Sequence, residues 1–182
     1  MPTHLPADPA HSQSTLEHRL RAIEDRLEIY NLIASHPPSA DTGAQAYAEA
    51  VYMEDGVFDR GAELSSWSGN KSIGANLKSE GHQAAIGCGL AHFTGLPHVT
   101  IDGDEAVVIS YLQILTPNKT GAPIEVPNHG ASRGYHIHRV VTNRWELMRT
   151  PSGWKIKRRI SRLVDGSEPS REILRAALGA LA

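Results

Sequence analysis

The segment GYHIHRVVTNRWELMRTPSGWKIKRRISRLV, residues 134–164, predicts a long β-hairpin. Apolar and polar residues alternate along 134–150 and again along 153–164, and Pro151-Ser152-Gly153 separates the two runs. Because successive side chains of a strand point to opposite faces, each run should turn one apolar face towards a core. The segment therefore indicates two long antiparallel strands.

The rest of the chain predicts further strands and several helices. A helical period covers 14–36, and its apolar stripe consists of Leu16, Leu20, Ile23, Leu27, Tyr30 and Ile33 or Ala34. Pro37-Pro38 should end this helix, and Asp41 or Thr42 could cap a second helix over 41–53. Strand patterns follow at 56–61, 62–69, 92–103 and 105–116, with helical patterns at 70–81 and 170–182.

This order of elements predicts an α+β fold. Helices come first and antiparallel strands follow, so the helices should cover one face of a curved, mixed sheet. Such a sheet can form a cone around a central pocket for a small molecule. We expect a flexible arm (1–13), one domain (14–166) and a C-terminal helix (167–182). The long loop at 117–134 should be a lid or a subunit contact.

The composition excludes several classes of protein. Eighteen Lys and Arg residues stand against 20 Asp and Glu, and no basic stripe favours nucleic acid or an anionic membrane. The single cysteine, Cys88, fits a reducing cytoplasm. The N-terminus lacks the features of a signal peptide, and no apolar run reaches the roughly 20 residues that span a bilayer. We therefore expect a cytoplasmic protein that binds neither nucleic acid nor membranes.

Polar residues interrupt the apolar faces of the hairpin. Asn143 lies on the predicted inward face, where an amide without partners costs about 1–3 kcal/mol. It either satisfies a nearby backbone group or binds a substrate oxygen. In the returning strand, alternation places Arg158 inward and Arg159 outward, unless a β-bulge changes the register. An inward arginine is either an ion-pair partner or a group that stabilises a developing oxyanion.

The ten histidines raise the question of a metal site. His136 and His138 share one strand face, but its other residues are polar and the face reads as exposed. The sequence has no HExxH motif, no paired CxxC motif and no compact His/Asp/Glu cluster. It also has no GxSxG elbow and no Gly-rich phosphate or dinucleotide motif. We expect neither a metal nor another cofactor.

Taken together, residues 16–165 resemble the SnoaL-like branch of the nuclear-transport-factor-2-like (NTF2-like) superfamily. The resemblance rests on four stretches in order: LRAIEDRLEIYNLIASH with ADTGAQAYAEAVYMEDGVFDRG, then AHFTG, VTIDGDEAVVISY and TNRWELMRTPSGWKIKRR. The pattern is similar to scytalone dehydratases and hexachlorocyclohexane dehydrochlorinases, which are lyases without a metal or cofactor. The resemblance implies an NTF2-like cone with N-terminal helices over a central pocket.

The resemblance also implies roles for individual residues. The catalytic aspartate and histidine of those lyases correspond to Asp41 and His92, and their pocket asparagine corresponds to Asn143. The pocket arginine corresponds to Arg158 or Arg159, and the resemblance favours Arg159. His36 stands where related dehydratases have a tyrosine, so the proton donor and the substrate should differ here.

These residues lead to a functional hypothesis. His92 would abstract an acidic proton, and Asp41 would fix the tautomer of its ring. The arginine and Asn143 would polarise the departing or enolate oxygen. Asp41 and His92 also have structural interpretations. Asp41 could cap a helix, and His92 could be a buried histidine whose hydrogen bonds are satisfied.

The resulting expectation is a lyase of aromatic compound catabolism that removes water, halide or formaldehyde from a hydroxylated, hydrophobic substrate. The apolar walls of its pocket would be Phe58, Trp67, Phe93, Tyr111 and Trp145, with Phe58 and Tyr111 binding substrate together with His36. A homo-oligomer, trimer or dimer, is expected by resemblance. The alternatives are a polyketide cyclase or steroid isomerase, and a non-catalytic β subunit of a ring-hydroxylating dioxygenase.

Overall fold

The computed structural model describes residues 9–62 and 64–179. Its helices are α1 (Pro9–Ala34), α2 (His36–Asp41), α3 (Gln45–Val51), α4 (Asn70–Asn76), α5 (Glu80–Gly87) and α6 (Glu168–Arg175). Its strands are β1 (Tyr52–Asp59), β2 (Trp67–Ser68), β3 (Ala91–Thr94), β4 (His98–Asp102), β5 (Glu105–Pro117), β6 (Ile124–Val126), β7 (Gly130–Ser132), β8 (Tyr135–Thr150) and β9 (Gly153–Leu163).

The main sheet has the strand order β2-β1-β9-β8-β5-β3, and β4 pairs with the first half of β5. Only the β1–β9 pair is parallel among these described strands, and the other pairs are antiparallel. The sheet is curved and not closed, and helices cover it. The predicted α+β class with a curved, mixed sheet is confirmed.

The predicted hairpin forms β8 and β9, which pair from Thr150–Gly153 at the turn to Val141–Leu163. Gly153 has φ +102°, and a side chain there would collide with Glu28, whose carboxylate accepts the N–H of Trp154 at 2.7 Å. The register shifts where Glu146 pairs with Arg158 but Leu147 pairs with Ile156, which leaves Lys157 as the extra residue of a β-bulge.

A compact apolar core joins α1, α3 and α4 to the sheet. Its fully buried members include Ile29, Ile33, Val108, Trp145 and Leu147. An ion pair fixes α1 to the hairpin, because both Asp25 carboxylate oxygens accept from Arg149, at 2.5 and 2.6 Å. The Trp154 indole N–H also donates to Asp25, at 3.2 Å. The core thus holds the helices firmly at one end of the sheet.

The N-terminal helix differs from its prediction. It begins at Pro9, so residues 9–13 are helical rather than an arm, while residues 1–8 lie outside the described residues. The predicted apolar stripe is exposed by half or more at Leu16, Leu20, Ile23 and Leu27. Only the later turns of α1 reach the core, where Asp25, Ile29 and Ile33 are buried. The apolar period therefore correctly predicted a helix, but the first part of its apolar stripe is exposed.

The prolines after α1 also act differently from the prediction. Pro37 and Pro38 lie in the first turn of α2, where a proline needs no intrahelical N–H partner. Asp41 is consequently the last residue of α2 and not the cap of the following helix, which begins at Gln45 after Ala44. The helix-cap reading of Asp41 is therefore wrong.

The remaining segments follow the prediction in outline. The segment 117–134 contains the exposed hairpin β6–β7 and not only loop. The C-terminal helix α6 contacts β8 and β9, and residues 180–182 lie outside the described residues. Across the described ranges, no helix has both the length and the apolar character needed to cross a membrane.

Candidate active site

A cavity of about 350 Å³ lies between α2 and the concave part of the sheet. Phe58, Leu112, Ile114 and Val141 give it apolar walls. The polar groups of its inner part are His36, His92 and Arg159, which come from α2, β3 and β9. The cavity is therefore apolar in its walls and carries nitrogen bases and a cation at one side.

His92 and Asp41 form a hydrogen-bonded pair at this wall. The ring Nδ1 of His92 lies 2.6 Å from Oδ1 of Asp41, and the backbone N–H of His92 donates to Oδ2 at 3.0 Å. The pairing arises because α2, which ends at Asp41, packs against β3, which carries His92 as its second residue. With Nδ1–H donated to the carboxylate, Nε2 keeps a free lone pair.

The environment keeps the His92 imidazole neutral near neutral pH. Burial lowers the pKa of His92 below its ordinary value, the Asp41 carboxylate opposes this, and the positive charge of Arg159 lowers the pKa further. A neutral ring with a free nitrogen is the form that can accept a proton. The pair therefore has the protonation state that a general base requires.

Arg159 is a buried cation with no carboxylate partner among the described residues. Its Nε donates to Oδ1 of Asn143 at 2.9 Å, and its Nη1 donates to Nε2 of His36 at 3.0 Å. The guanidinium lies between the rings of Phe58 and Trp145, 4.3 and 4.2 Å from their centroids. Burial lowers the pKa of Arg159 to about 10, so the group stays charged at neutral pH.

His36 lies deep in the fold, and its remaining exposure is towards the cavity that it lines. Burial, followed by the charge of Arg159, holds the pKa of His36 well below its ordinary range. Nη1 of Arg159 lies 3.0 Å from Nε2 and 3.4 Å from Nδ1 of His36, so the neutral ring can accept a hydrogen bond from the guanidinium. His36 therefore helps to position Arg159 and remains uncharged.

The structure brings together most of the residues predicted for the site. His36, Phe58, His92 and Arg159 line the cavity, and Asp41 supports His92 from behind. Asn143 is fully buried behind Arg159 instead of lining the cavity. Its Oδ1 orients the guanidinium, whereas its Nδ2 has no hydrogen-bond partner among the described residues.

Besides Asn143, two predicted substrate-binding residues lie outside the cavity. The bulge at Lys157 reverses the alternation of β9, so Arg159 faces inward and Arg158 faces outward. Arg158 is half-exposed and donates to Asp59 at 3.3 Å. Tyr111 is 46% exposed because it alternates with Leu112, which is the cavity residue. The structure thus corrects the assignment of Arg158 and Tyr111 to the pocket.

The sequence reasoning missed several polar residues of the cavity, among them Arg60, Arg139 and His82. Arg60 follows β1, Arg139 lies on β8, and His82 on α5 approaches the carbonyl oxygen of Ala40 to 2.8 Å. Arg139 stood on the correctly predicted inward face of its strand, so alternation alone could have found it. Arg60 and His82 had no such signal, because they lie on a short connection and on a helix without apolar periodicity.

The structure separates the histidines that suggested a metal site. The register of β5 and β8 shifts between Ile137 and Arg139, and His136 instead approaches Oγ1 of Thr116 at 3.0 Å and Oδ1 of Asn118 at 2.9 Å. In the described part of the chain, no group of three or more His, Cys, Asp or Glu side chains is arranged to hold a metal ion.

Comparison with protein families and solved structures agrees with this fold. Residues 21–160 match the SnoaL-like domain, and the chain belongs to that family. A search of curated proteins gave no match.

Several solved structures share the fold. One is an NTF2-like protein with a cystatin-like fold from Novosphingobium aromaticivorans, 32% identical, with a TM-score of 0.79 over 93% of this chain and 99% of the other. A candidate aromatic ring hydroxylase of that organism is 25% identical, with a TM-score of 0.57 over 78% and 90% of the two chains. A candidate scytalone dehydratase of the same organism is 18% identical, with a TM-score of 0.55 over 84% and 88%. At that last identity the likeness shows the fold alone.

Proposed function

We propose that the protein is a cofactor-independent lyase that eliminates a small molecule from a hydroxylated aromatic substrate. The observation that carries this proposal is the Asp41–His92 pair, joined at 2.6 Å on the wall of a cavity of about 350 Å³. A neutral imidazole supported by a carboxylate suits proton abstraction near neutral pH.

In the proposed reaction, Nε2 of His92 removes a proton from the carbon next to an electron-withdrawing group. The electron pair of that C–H bond forms the new double bond, and the bond to the leaving hydroxyl breaks. The imidazolium then returns the proton to the departing oxygen, so that water leaves and the enzyme regains its starting state. Asp41 stabilises the imidazolium between these two transfers.

Arg159 supplies the positive charge that this reaction needs. Negative charge develops on the enolate or leaving oxygen, and a cation already held in a water-poor site stabilises it without reorganisation. Arg159 meets this description because neutral groups hold it and no described carboxylate neutralises it. In an alternative reaction, His92 would remove the proton of a hydroxymethyl O–H, the carbon–carbon bond would break to release formaldehyde, and the electron pair left on the substrate carbon would take the proton back from the imidazolium.

The test compares single variants on a panel of hydroxylated aromatic compounds, with water, halide and formaldehyde release measured separately. His92→Ala and Asp41→Asn should each reduce turnover by about 100-fold or more. His98→Ala, which removes an exposed histidine from the next strand, is the matched control and should retain wild-type turnover. Near-full turnover in both the His92 variant and the Asp41 variant would contradict the proposal.

Two other functions are compatible with parts of the same site or with the same family resemblance. A cyclase or isomerase would employ the same base but release no small molecule, so the mass balance of product against substrate separates it from a lyase. A non-catalytic subunit is suggested by the resemblance to the candidate aromatic ring hydroxylase. Co-purification with a larger iron–sulfur subunit would favour that function.

We also propose that the protein is cytoplasmic and self-associates. Its one cysteine, Cys88, is an exposed free thiol, which fits a reducing compartment. The exposed stripe Leu16, Leu20, Ile23 and Leu27 has the alternating three- and four-residue spacing of a helix pair.

The charges beside this stripe favour a second copy as its partner. Glu17 and Glu24 lie along one side of the stripe, and Arg19 and Arg26 lie along the other. In a parallel pair of α1 helices, the acidic side of one copy meets the basic side of its partner. An antiparallel pair would bring like charges together.

A further inference from the structure

The outer part of the cavity contains two arginines that have no counter-ion among the described residues. Arg60 and Arg139 both line the cavity, and among the described residues neither forms an ion pair or a side-chain hydrogen bond. The neighbouring Arg162 differs, because Asp59 accepts from it at 2.9 Å. Both unpaired guanidinium groups are only half-buried, unlike that of Arg159.

The two cations lie close enough to disfavour each other. Burial lowers the pKa of Arg60, and the positive charge of Arg139 lowers it further. Like charges at one site are held at a cost in free energy that a bound anion would remove. Arg60 is kept in place by aromatic rings, since its guanidinium carbon lies 5.2 Å from the Trp67 centroid and 5.9 Å from the Phe58 centroid.

The cavity as a whole is cationic, although the chain is not. The formal net charge of the chain is −2. Within the cavity, Arg60, Arg139 and Arg159 are unpaired, while Asp165 is the one carboxylate among its described lining residues. Asp165 is exposed and accepts the backbone N–H of Ser167 at 2.8 Å. The excess of positive charge is therefore a property of the cavity.

We propose that the substrate carries a carboxylate, which Arg60 and Arg139 bind at the outer part of the cavity. A guanidinium group donates two parallel hydrogen bonds to a carboxylate, so the chemistry of the two groups is complementary. The apolar walls of Phe58, Leu112 and Ile114 would hold an aromatic body between this anion and His92. The inference rests on the proposed function for the idea that the occupant is a substrate, and it narrows that substrate to an aromatic acid.

The experiment measures binding without turnover. Calorimetry would compare 4-hydroxybenzoate, 3-phenylpropanoate, 4-hydroxycinnamate and naphthalene-2-carboxylate with the primary amide of each, and phenyl phosphate would serve as a different anion. At least one acid should bind wild-type protein about 10-fold more tightly than its amide, and this preference should shrink at high salt. The double variant Arg60→Gln/Arg139→Gln should bind that acid and its amide within about twofold of each other.

The matched control is Arg144→Gln/Arg171→Gln, which removes the same charge from sites outside the cavity and should keep the preference. Circular dichroism and thermal unfolding would show that both double variants fold. The proposal is overturned if no acid binds better than its amide, if phenyl phosphate alone shows an Arg60- and Arg139-dependent affinity, or if the cavity double variant keeps the preference.

The same assay separates this proposal from the proposed function. Asp41→Asn leaves both outer arginines in place, so it should retain the acid-over-amide preference even though it loses turnover. If Asp41→Asn keeps both the preference for the acid and its turnover, the catalytic role of the Asp41–His92 pair is refuted but the carboxylate site is supported. If Arg60→Gln/Arg139→Gln loses the preference for the acid, and His92→Ala and Asp41→Asn lose turnover, the carboxylate site and the proposed function are both supported.

Discussion

Nδ1 of His92 and Oδ1 of Asp41 lie 2.6 Å apart although 51 positions separate the two residues in the chain. The short helix α2 ends with the carboxylate at the edge of β3, and the backbone N–H of His92 fixes the second carboxylate oxygen. Because both oxygens are held, the carboxylate can orient the ring and keep Nε2 available at the cavity.

This relationship predicts an unusual pH response. The base must be unprotonated, so kcat/KM should rise with pH through a pKa below 6.5 and then stay level through neutrality. Asp41 raises the pKa of His92, so the residual activity of Asp41→Asn should show its acidic limb at a still lower pH. Titration of His92 by nuclear magnetic resonance checks the assignment. An acidic limb that moves to higher pH in Asp41→Asn would contradict it.

The adjacent arginines of β9 should differ sharply in function. Arg159→Gln removes the buried cation and should lower kcat by about 100-fold or more. Arg158→Gln removes the same charge from the outer face and should leave kcat within about twofold of wild type. Steady-state kinetics on the same substrate would test this prediction. An equal loss of kcat in the two variants would show that the bulge does not determine which arginine acts in the site.

The ion pair that fixes α1 should matter more for stability than for chemistry. Asp25→Asn weakens the two hydrogen bonds to Arg149 and one to Trp154, and it should lower the free energy of unfolding by about 2–3 kcal/mol. Asp104 also contacts Arg149, but its side chain is 71% exposed, so Asp104→Asn should cost under about 1 kcal/mol. Urea unfolding measures the free energy of unfolding of both variants. Similar decreases in the two variants would refute the predicted difference between Asp25 and Asp104.

The exposed stripe of α1 should control the oligomeric state. Leu20→Glu/Leu27→Glu places four like charges between two paired helices and should reduce the molar mass measured by light scattering. Leu96→Glu/Val164→Glu changes exposed apolar residues outside both α1 and the segment 117–134 and is the control. An unchanged mass in the α1 variant would show that this helix is not the contact.

The sequence predicted the class of fold because its signals were local and repeated. Alternation along the hairpin and the turn at 151–153 fixed β8 and β9, and the inward side of β8 followed from its apolar residues. The site was predicted only in part. Asp41 and His92 came from a resemblance, since nothing local shows that a carboxylate on α2 will meet a ring on β3.

The errors have identifiable physical causes. Alternation assigned Arg158 to the cavity, because a one-residue bulge leaves no mark in the pattern of apolar residues. The exposure of the α1 stripe was not predicted, because periodicity shows that a helix has an apolar side but not what covers it. The position of Arg60 in the cavity was not predicted, because it depends on where a short connection returns to the sheet.

The bulge at Lys157 also affects how related chains should be aligned. A relative that lacks this extra residue can still present an arginine at the same point in space, one position nearer to the tryptophan that begins the strand. An alignment without a gap would then match that arginine to Arg158 and suggest that the buried arginine of the cavity had been lost. Sorting family members by activity therefore requires superposition of the strands at this position.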